Sequence, residues 1–473
     1  MQRKLLKDFF YKVLIPCCFV LLVFYAGKNI NLSLNKDNLK IKIIRNTVSI
    51  IPRINWMIGW SDQPVKRDII QDFAQEYEFK NQNIKINLGY SENINKSKHA
   101  REIAQMIQNS VYEWDIVWVD ESVYFQVSNL LNNNYWGEEY LVDFQKIEGF
   151  ALSQRPEILQ NKSILKKMNF ILPGPYLDGF YGVIWYNKEV ASMLGLEVKD
   201  RDMNFKDILK YAQIVSDYNK LHEKKIALFC DSKDWFTTSM LFQHLIWGEL
   251  DKNSNTIEND SLTHETDSIS DFVYLKKILT LFGELGEYKP LIESHNVNMW
   301  YDAKRIFLDN GSLFMIGKTD LYNELLNLDA EKAGYILPAE LPSLEQYNGY
   351  IGSFQPSFCV FKSAPNRDAA IELMKSLSTP YYAEKWANKT KNPTGISVNI
   401  NENYLENDPY NEFLIYIARK YQYNVRYSID ASYMFGSQNA HLYNIIDDNL
   451  RLILSNQITS EEAFNNITSN ISE

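Results

Sequence analysis

The chain has 473 residues, and 45% of them are hydrophobic, so it can bury a large core and is long enough for more than one globular unit. Its formal net charge is -10, whereas proteins that bind nucleic-acid backbones present a basic surface, so no nucleic-acid partner is expected. In the part expected to fold, the cysteines are Cys230 and Cys359, for which two separate buried thiols are favoured over a disulfide.

The first residues have the order of an export signal. A basic stretch precedes an apolar run over residues 13–27, whose length is marginal for spanning a bilayer. Phe24 places an aromatic ring where signal peptidase needs a small side chain, and Pro16 replaces the small residue that precedes a lipobox cysteine. We therefore expect residues 1–28 to be a retained membrane anchor that holds the chain outside the cytoplasm; cleavage, or lipidation at Cys17, are the alternatives.

A polar, asparagine-rich stretch over residues 29–52 predicts a stem. The segments that follow it alternate between buried-strand and amphipathic-helix patterns. They are a strand at 54–60, a helix at 65–79, a strand at 84–88, a helix at 100–109 and a strand at 114–120. This order predicts an α/β lobe with a mainly parallel sheet, whose ligands lie at the carboxyl ends of the strands.

The same alternation recurs further along the chain and predicts a second α/β lobe. A strand is expected at 182–186, with helices at 188–194, 205–217 and 240–250. The stretch 251–271 is rich in polar residues and predicts an exposed loop.

Several motifs occur in a particular order along the chain. They are LPGP at 172–175, GVIWYNK at 182–188, NFKDILKYA at 204–212, FLDNGSLFMIGK at 307–318 and AAIELMKSL at 369–377. In this succession the sequence resembles the family 1 extracellular solute-binding proteins, the maltose-type binding proteins of bacterial ABC importers.

The resemblance implies a type II periplasmic-binding-protein-like fold, in which two α/β lobes with mainly parallel sheets are joined by a hinge. The implied partition places residues 53–172 and 309–350 in lobe one, and residues 173–308 and 351–473 in lobe two. It also implies a monomer without a cofactor that captures a solute by hinge closure and passes it to ABC permease subunits in the membrane.

A sugar presents apolar ring faces and many hydroxyl groups, so its binding site needs aromatic rings beside carboxylates. Such pairs end the predicted strands or stand at the first crossing between lobes: Trp60 with Asp62, Trp118 with Asp120 and Glu121, and Tyr176 with Asp178. Position relative to the family's motifs adds Trp235, Asp320 and Phe354. The alternative is that the rings pack in the core and the acids cap the following helices.

The candidate positions are mainly acidic, which favours a neutral sugar over a phosphorylated solute. The six histidines show no metal-ligand spacing, so no metal is expected. A glycoside hydrolase remains an alternative, because Asp120, Glu121 and Asp178 could supply paired carboxylates. A membrane-tethered ligand sensor is a further alternative.

Overall fold

The computed structural model describes residues 31–35, 38–42, 51–60, 63–90, 96–155, 158–159, 171–253, 272–291, 297, 299–344, 349–397, 408–421, 425–426 and 442–470. The expected anchor at 1–28, including Cys17, and the candidate Asp62 lie outside these residues. Among the helices in the described ranges, none is both long enough and apolar enough to cross a membrane.

Two kinds of element alternate along the chain. The strands are β1 (Asn31–Asn35), β2 (Asn38–Lys42), β3 (Arg53–Ile58), β4 (Lys85–Tyr90), β5 (Ile116–Trp118), β6 (Asp178–Asn187), β7 (Ala227–Phe229), β8 (Ser312–Lys318), β9 (Ile336–Ala339), β10 (Tyr350–Gln355), β11 (Phe358–Val360) and β12 (Val425–Arg426).

The helices occur between and after these strands along the chain. They are α1 (Pro64–Lys80), α2 (Lys96–Asn109), α3 (Glu121–Leu131), α4 (Trp136–Tyr140), α5 (Lys188–Met193), α6 (Phe205–Leu221), α7 (Ser239–Asn253), α8 (Val273–Gly286), α9 (Trp300–Leu308), α10 (Leu321–Leu328), α11 (Ala330–Ala333), α12 (Arg367–Leu377), α13 (Pro380–Thr390), α14 (Pro409–Lys420), α15 (Leu442–Leu454) and α16 (Ser460–Thr468). Short 3-10 turns occur at Phe144–Lys146 and Ala151–Ser153.

The first sheet has the strand order β11-β5-β3-β4. Strand β3 is parallel to β4 and β5, whereas β11 is antiparallel to β5. Helix α1 begins with a proline at its first turn and buries Ile69, Phe73 and Tyr77 on one face, a spacing that only a helix brings together. Helix α13 packs on α1, and α12 packs on β11. These elements form the first lobe.

The second sheet has the order β12-β10-β6-β8-β7, and β9 also pairs with β6. Strand β6 is antiparallel to β8, β9 and β10, whereas β7 is parallel to β8 and β10 is parallel to β12. Helix α6 begins after Asn204, whose side chain accepts from the backbone of Asp207 while Asp207 accepts from the backbone of Asn204. Helix α8 packs on α15 and α16. These elements form the second lobe, and its sheet is more mixed than the mainly parallel sheet that was expected.

The predicted two-lobed α/β fold is confirmed, but the sheet pairing differs from the implied partition. Strands β8 and β9, which lie within 309–350, pair with β6 in the second sheet, and β11, which lies beyond 350, pairs with β5 in the first. The apolar run that forms β8 suits a buried strand of either sheet, so the sequence alone does not select its partner.

Three further predictions concern the stem, the loop and the cysteines. The segment expected to be a stem contains an antiparallel hairpin of β1 and β2, which was not predicted. The first residues of the loop expected at 251–271 belong to α7, which continues to Asn253, and residues 254–271 lie outside the described part of the chain. Cys230 and Cys359 are both buried and free, as predicted.

Candidate functional site

Three chain connections between the lobes lie side by side. The first covers residues 172–178, the second covers 355–358 and the third leaves α13 after residue 390. The backbone amide of Ser357 donates to the carbonyl of Pro175 at 3.2 Å, and that of Gly395 donates to the carbonyl of Tyr176 at 2.8 Å. These bonds hold the connections together and place the start of β6 against the first lobe.

Strand direction brings several candidate residues to two facing sheet edges. In the first sheet, Trp60 and Asp120 follow the carboxyl ends of the parallel strands β3 and β5. In the second sheet, Asp320 follows β8 and Trp235 follows β7, which is parallel to it. Asp178 begins β6, which runs antiparallel to β8, so it stands at the same edge as Asp320. Ligands of open α/β sheets bind at such edges.

Lys66, in the first turn of α1, lies where the two edges meet. Its Nζ donates to Oδ2 of Asp178 at 2.7 Å and lies 3.6 Å from Oδ2 of Asp320. The same ammonium is 5.4 Å from the ring centroid of Trp60 and 5.9 Å from that of Trp386. Lys66 is only 5% exposed. A first-lobe cation is therefore enclosed by two second-lobe carboxylates and two first-lobe aromatic rings.

A buried hydrogen-bond chain supports this ion group. Oδ1 of Asp178 accepts from Nδ2 of Asn392 at 3.1 Å, and Oδ1 of Asn392 accepts from the hydroxyl of Thr319 at 2.7 Å. Asn392 is fully buried and belongs to the third connection. Both oxygens of Asp178 are thus held by protein donors from different parts of the chain.

The charge state of Lys66 follows from two opposing effects. Burial acts to lower the pKa of Lys66, but the neighbouring Asp178 and Asp320 outweigh it, so the pKa is raised above its ordinary value. The lysine is therefore an ammonium at neutral pH. One ammonium against two carboxylates leaves this group with a net negative charge.

Trp60 is a strained residue whose ring is mostly covered. Its φ of 63° lies in the left-handed region, which a bulky side chain adopts only when its surroundings enforce it. The ring packs edge-on against Phe358 at 5.5 Å and tilted against Trp386 at 5.2 Å. Trp60 is 9% exposed, so most of its surface contacts the protein itself.

The indole of Trp118 lies against Gly59, the residue before Trp60, which has no side chain to occupy that space. A Cβ on Gly59 would stand 2.7 Å from the Trp118 ring. The ring of buried His99 lies 6.0 Å from that of Trp118, and His99 Nε2 is 2.5 Å from the Trp118 carbonyl oxygen. Trp118 is partly exposed, so it offers a ring at the first-sheet edge.

The acids that follow β5 occupy the start of a helix. Asp120 is 7% exposed, and its Oδ1 accepts from the backbone amide of Val123 at 2.8 Å, which caps α3. Glu121 is the first residue of that helix. Asp120 therefore has the helix-capping role that was the alternative to solute binding.

Two predicted aromatic residues are buried in packing positions. Tyr176 is fully buried within the first connection, and Phe354 is 2% exposed. The Phe354 ring meets Tyr181 edge-on at 6.2 Å and lies over Gly179, whose absent Cβ would come within 2.7 Å of it. In this conformation neither residue presents an open ring face.

Trp235 is the exposed aromatic candidate. It is 46% exposed, and its ring lies 5.2 Å from that of Trp300. Trp235 lies within a tight turn in which Asp231 accepts from the backbone amides of Thr237 and Thr238. This turn holds Trp235 beyond the carboxyl end of β7, at the second-sheet edge.

The structure thus gathers Trp60, Asp178 and Asp320 around Lys66 and sets Trp118 against Gly59. Lys66, Trp386 and Asn392 were missed by the sequence reasoning. Lys66 had a detectable signal, because it falls on the apolar face of α1, at helical spacing from Ile69 and Ile70. Within the described ranges, no group of three or more potential metal ligands occurs.

No family model matches the sequence, and no curated protein matches it. Solved structures match its fold. The GacH receptor of Streptomyces glaucescens, solved unliganded and with acarbose, aligns with a TM-score of 0.60 and 12% identity, covering 88% of this chain and 97% of its own. An ABC substrate-binding protein from Listeria monocytogenes, in complex with cycloalternan, aligns with a TM-score of 0.59 and 14% identity, covering 89% and 98%. A chitin oligosaccharide binding protein aligns with a TM-score of 0.61 and 13% identity, covering 88% and 97%.

The similarity extends over nearly the whole length of each matched structure, so it concerns both lobes. The chain therefore has the two-lobed α/β fold of these solute-binding proteins, with candidate residues at the sheet edges where the lobes meet.

Proposed function

We propose that the chain is a family 1 extracellular solute-binding protein, the component of a bacterial ABC importer that captures a carbohydrate between its lobes. The observation that carries the proposal is the meeting of Trp60, Asp178 and Asp320 between two sheet edges in this fold. The motif order along the sequence supports the same family. The matched structures include proteins bound to acarbose and to cycloalternan and one named for chitin oligosaccharides.

The charges and the exposed rings favour a neutral carbohydrate. The group of Lys66, Asp178 and Asp320 carries a net negative charge, which repels anionic solutes such as uronates and sugar phosphates. Trp235, and Trp118 to a smaller extent, offer ring faces on which the apolar face of a sugar can stack.

The proposal includes delivery of the solute to permease subunits and a tether at residues 1–28 that keeps the monomeric protein at the outer face of the membrane. Co-purification of the full chain with membrane proteins tests the identity of its partner. Recovery of permease subunits supports the importer, whereas recovery of a receptor kinase would support the sensor alternative.

Binding is tested by thermal shift and calorimetry on the full chain in detergent. The panel contains neutral oligosaccharides, monosaccharides and polyols, together with uronates and sugar phosphates. A neutral oligosaccharide at a hundred times its Kd is expected to stabilise the protein by about 2.7 kcal/mol. Stabilisation by the anionic solutes alone, or by none of the panel, would contradict the proposal.

The site favours binding over hydrolysis. A glycoside hydrolase holds the scissile bond between two carboxyl groups, one of which donates a proton. Here Lys66 lies between Asp178 and Asp320, and both oxygens of Asp178 accept from protein donors. The bound oligosaccharide is therefore expected to be recovered intact after prolonged incubation, and release of shorter products would favour the hydrolase.

A further inference from the structure

The ion group around Lys66 joins the two lobes beside their backbone connections, where Nδ2 of Asn323 also donates to the carbonyl of Thr390. Lys66 belongs to α1 of the first lobe. Asp178 begins β6, and Asp320 follows β8, which pairs with it in the second sheet. The contacts from Lys66 Nζ to Asp178 and Asp320 therefore cross from one lobe to the other.

We infer that Lys66 is an ionic tether between the lobes, and that its pairing with Asp178 and Asp320 sets how far apart the lobes rest when no solute is bound. The tether stands beside the three connections, because Asp178 ends the first of them and Asn392, its other partner, belongs to the third. An interaction so close to a hinge governs the lobe angle without occupying the outer part of the cleft.

Burial makes the tether strong enough for this role. An exposed ion pair contributes little to conformation because water and salt screen it. The Lys66 side chain is 6% exposed and that of Asp178 is 18% exposed. Separating the lobes here would leave a desolvated ammonium without its counter-charges, a costly state that the folded protein avoids.

A second lysine provides a matched control. Lys385 of α13 lies 3.3 Å from Asp72 and 3.3 Å from Glu76, both in α1, and its side chain is 18% exposed. Its arrangement, one lysine with two carboxylates, resembles that of Lys66. All three groups belong to the first lobe, so this ion group does not cross between lobes.

The test measures lobe separation directly, without solute, and does not depend on the proposed function. Spin labels are placed by Phe79→Cys in the first lobe and Leu221→Cys in the second, both at positions 82% exposed. Cys17 and Cys18 are replaced by serine in every variant, and distances are measured by pulsed electron paramagnetic resonance on the full chain in detergent micelles.

In Lys66→Met, the fraction of molecules whose spin-label distance falls outside the range found with Lys66 present is expected to rise roughly tenfold, which corresponds to about 1.4 kcal/mol. Lys385→Met is expected to leave the distribution unchanged. An unchanged distribution in Lys66→Met, or an equal change in both variants, would overturn the inference. If Lys66→Met does not fold, as judged by circular dichroism, Asp320→Asn decides the question: a shifted distribution supports the tether and an unchanged one removes it.

Discussion

The carbonyl oxygen of Phe358 stands 1.8 Å from the point that a Cβ on Gly174 would occupy. The two residues belong to different connections between the lobes, so the close approach is between two segments of backbone. Neither segment can be displaced by a change of side-chain rotamer. A glycine at position 174 is therefore a requirement of the hinge region.

Gly174→Ala is expected to destabilise the protein by about 2 kcal/mol, because the new methyl group overpacks against the Phe358 carbonyl. Urea unfolding followed by circular dichroism measures the loss. Gly283→Ala in α8 is the control, since a Cβ there would lie 3.3 Å from the Cβ of Ser460 and alanine favours a helix. Equal unfolding midpoints for the two variants would show that the connections can separate freely.

Glu340→Gln is expected to destabilise the protein by about 3 kcal/mol, because it removes a fully buried carboxylate that neutralises a lysine. Glu340 accepts from Lys420 at 2.6 Å and from the hydroxyl of Tyr416 at 2.8 Å, and it also binds the hydroxyl of Tyr421. These bonds fix the end of α14 against the residue that follows β9. Denaturant unfolding at neutral pH provides the measurement.

The matched control for this change removes a surface carboxylate. Asp309→Asn breaks the exposed pair with Lys332, at 2.6 Å, and is expected to cost much less than Glu340→Gln, because water screens an exposed pair. If both carboxylate substitutions had equal effects, burial would not be the cause of the larger loss.

The lowered pKa of His244 makes the stability of the protein depend on pH. Burial lowers the pKa of His244 to about 3, and the charge of Lys420 acts in the same direction. In the unfolded chain the ordinary histidine pKa is about 6.5, so between these values the unfolded state binds one proton more than the folded state. Stability therefore falls as the pH is lowered through this window, by at most about 1.4 kcal/mol per pH unit from this residue.

His244→Leu removes that titration and is expected to flatten the decline in unfolding free energy between pH 6 and pH 4. Urea unfolding at several pH values compares it with the unsubstituted protein and with His222→Leu, which replaces an exposed histidine stacked on Tyr218. Parallel slopes in all three proteins would place the acid sensitivity elsewhere.

Trp235→Ala is expected to weaken the binding of a carbohydrate by about 1 to 3 kcal/mol, because it deletes an exposed ring at the second-sheet edge. Calorimetry with the oligosaccharide that stabilises the protein most provides the measurement. Tyr335→Ala is the control: Tyr335 is 44% exposed but precedes β9, beside Asn187 and so at the opposite edge of the sheet. A comparable loss in both variants would indicate that the effect does not arise from stacking on the solute.

Local patterns in the sequence predicted much of the fold. The helical spacing of Ile69, Phe73 and Tyr77 identified α1, and the helix predicted at 205–217 corresponds to α6, whose capping box is present. Each of these signals lies within one element and needs no knowledge of its partners. The resemblance to a known family supplied the two-lobed arrangement.

The partition between the lobes and the composition of the site depend on contacts between distant residues. The pairing of β8 with β6 is decided by tertiary packing. Both strands are apolar, so their sequences do not show which strand each will pair with. Lys66 is buried because Asp178 and Asp320 reach it from another lobe. Nothing local to residue 66 shows that two carboxylates will neutralise it.

The antiparallel pair of β11 and β5 has a consequence for how the protein is made. Phe358 pairs with Trp118, so the first sheet lacks an edge strand until most of the chain has been synthesised. The whole second sheet except β12 lies between these two strands in the sequence. A chain shortened before β11 would leave β5 as an uncovered edge, open to pairing with another molecule. Termination before Phe358 is therefore expected to yield aggregation rather than a free second lobe beside a finished first one.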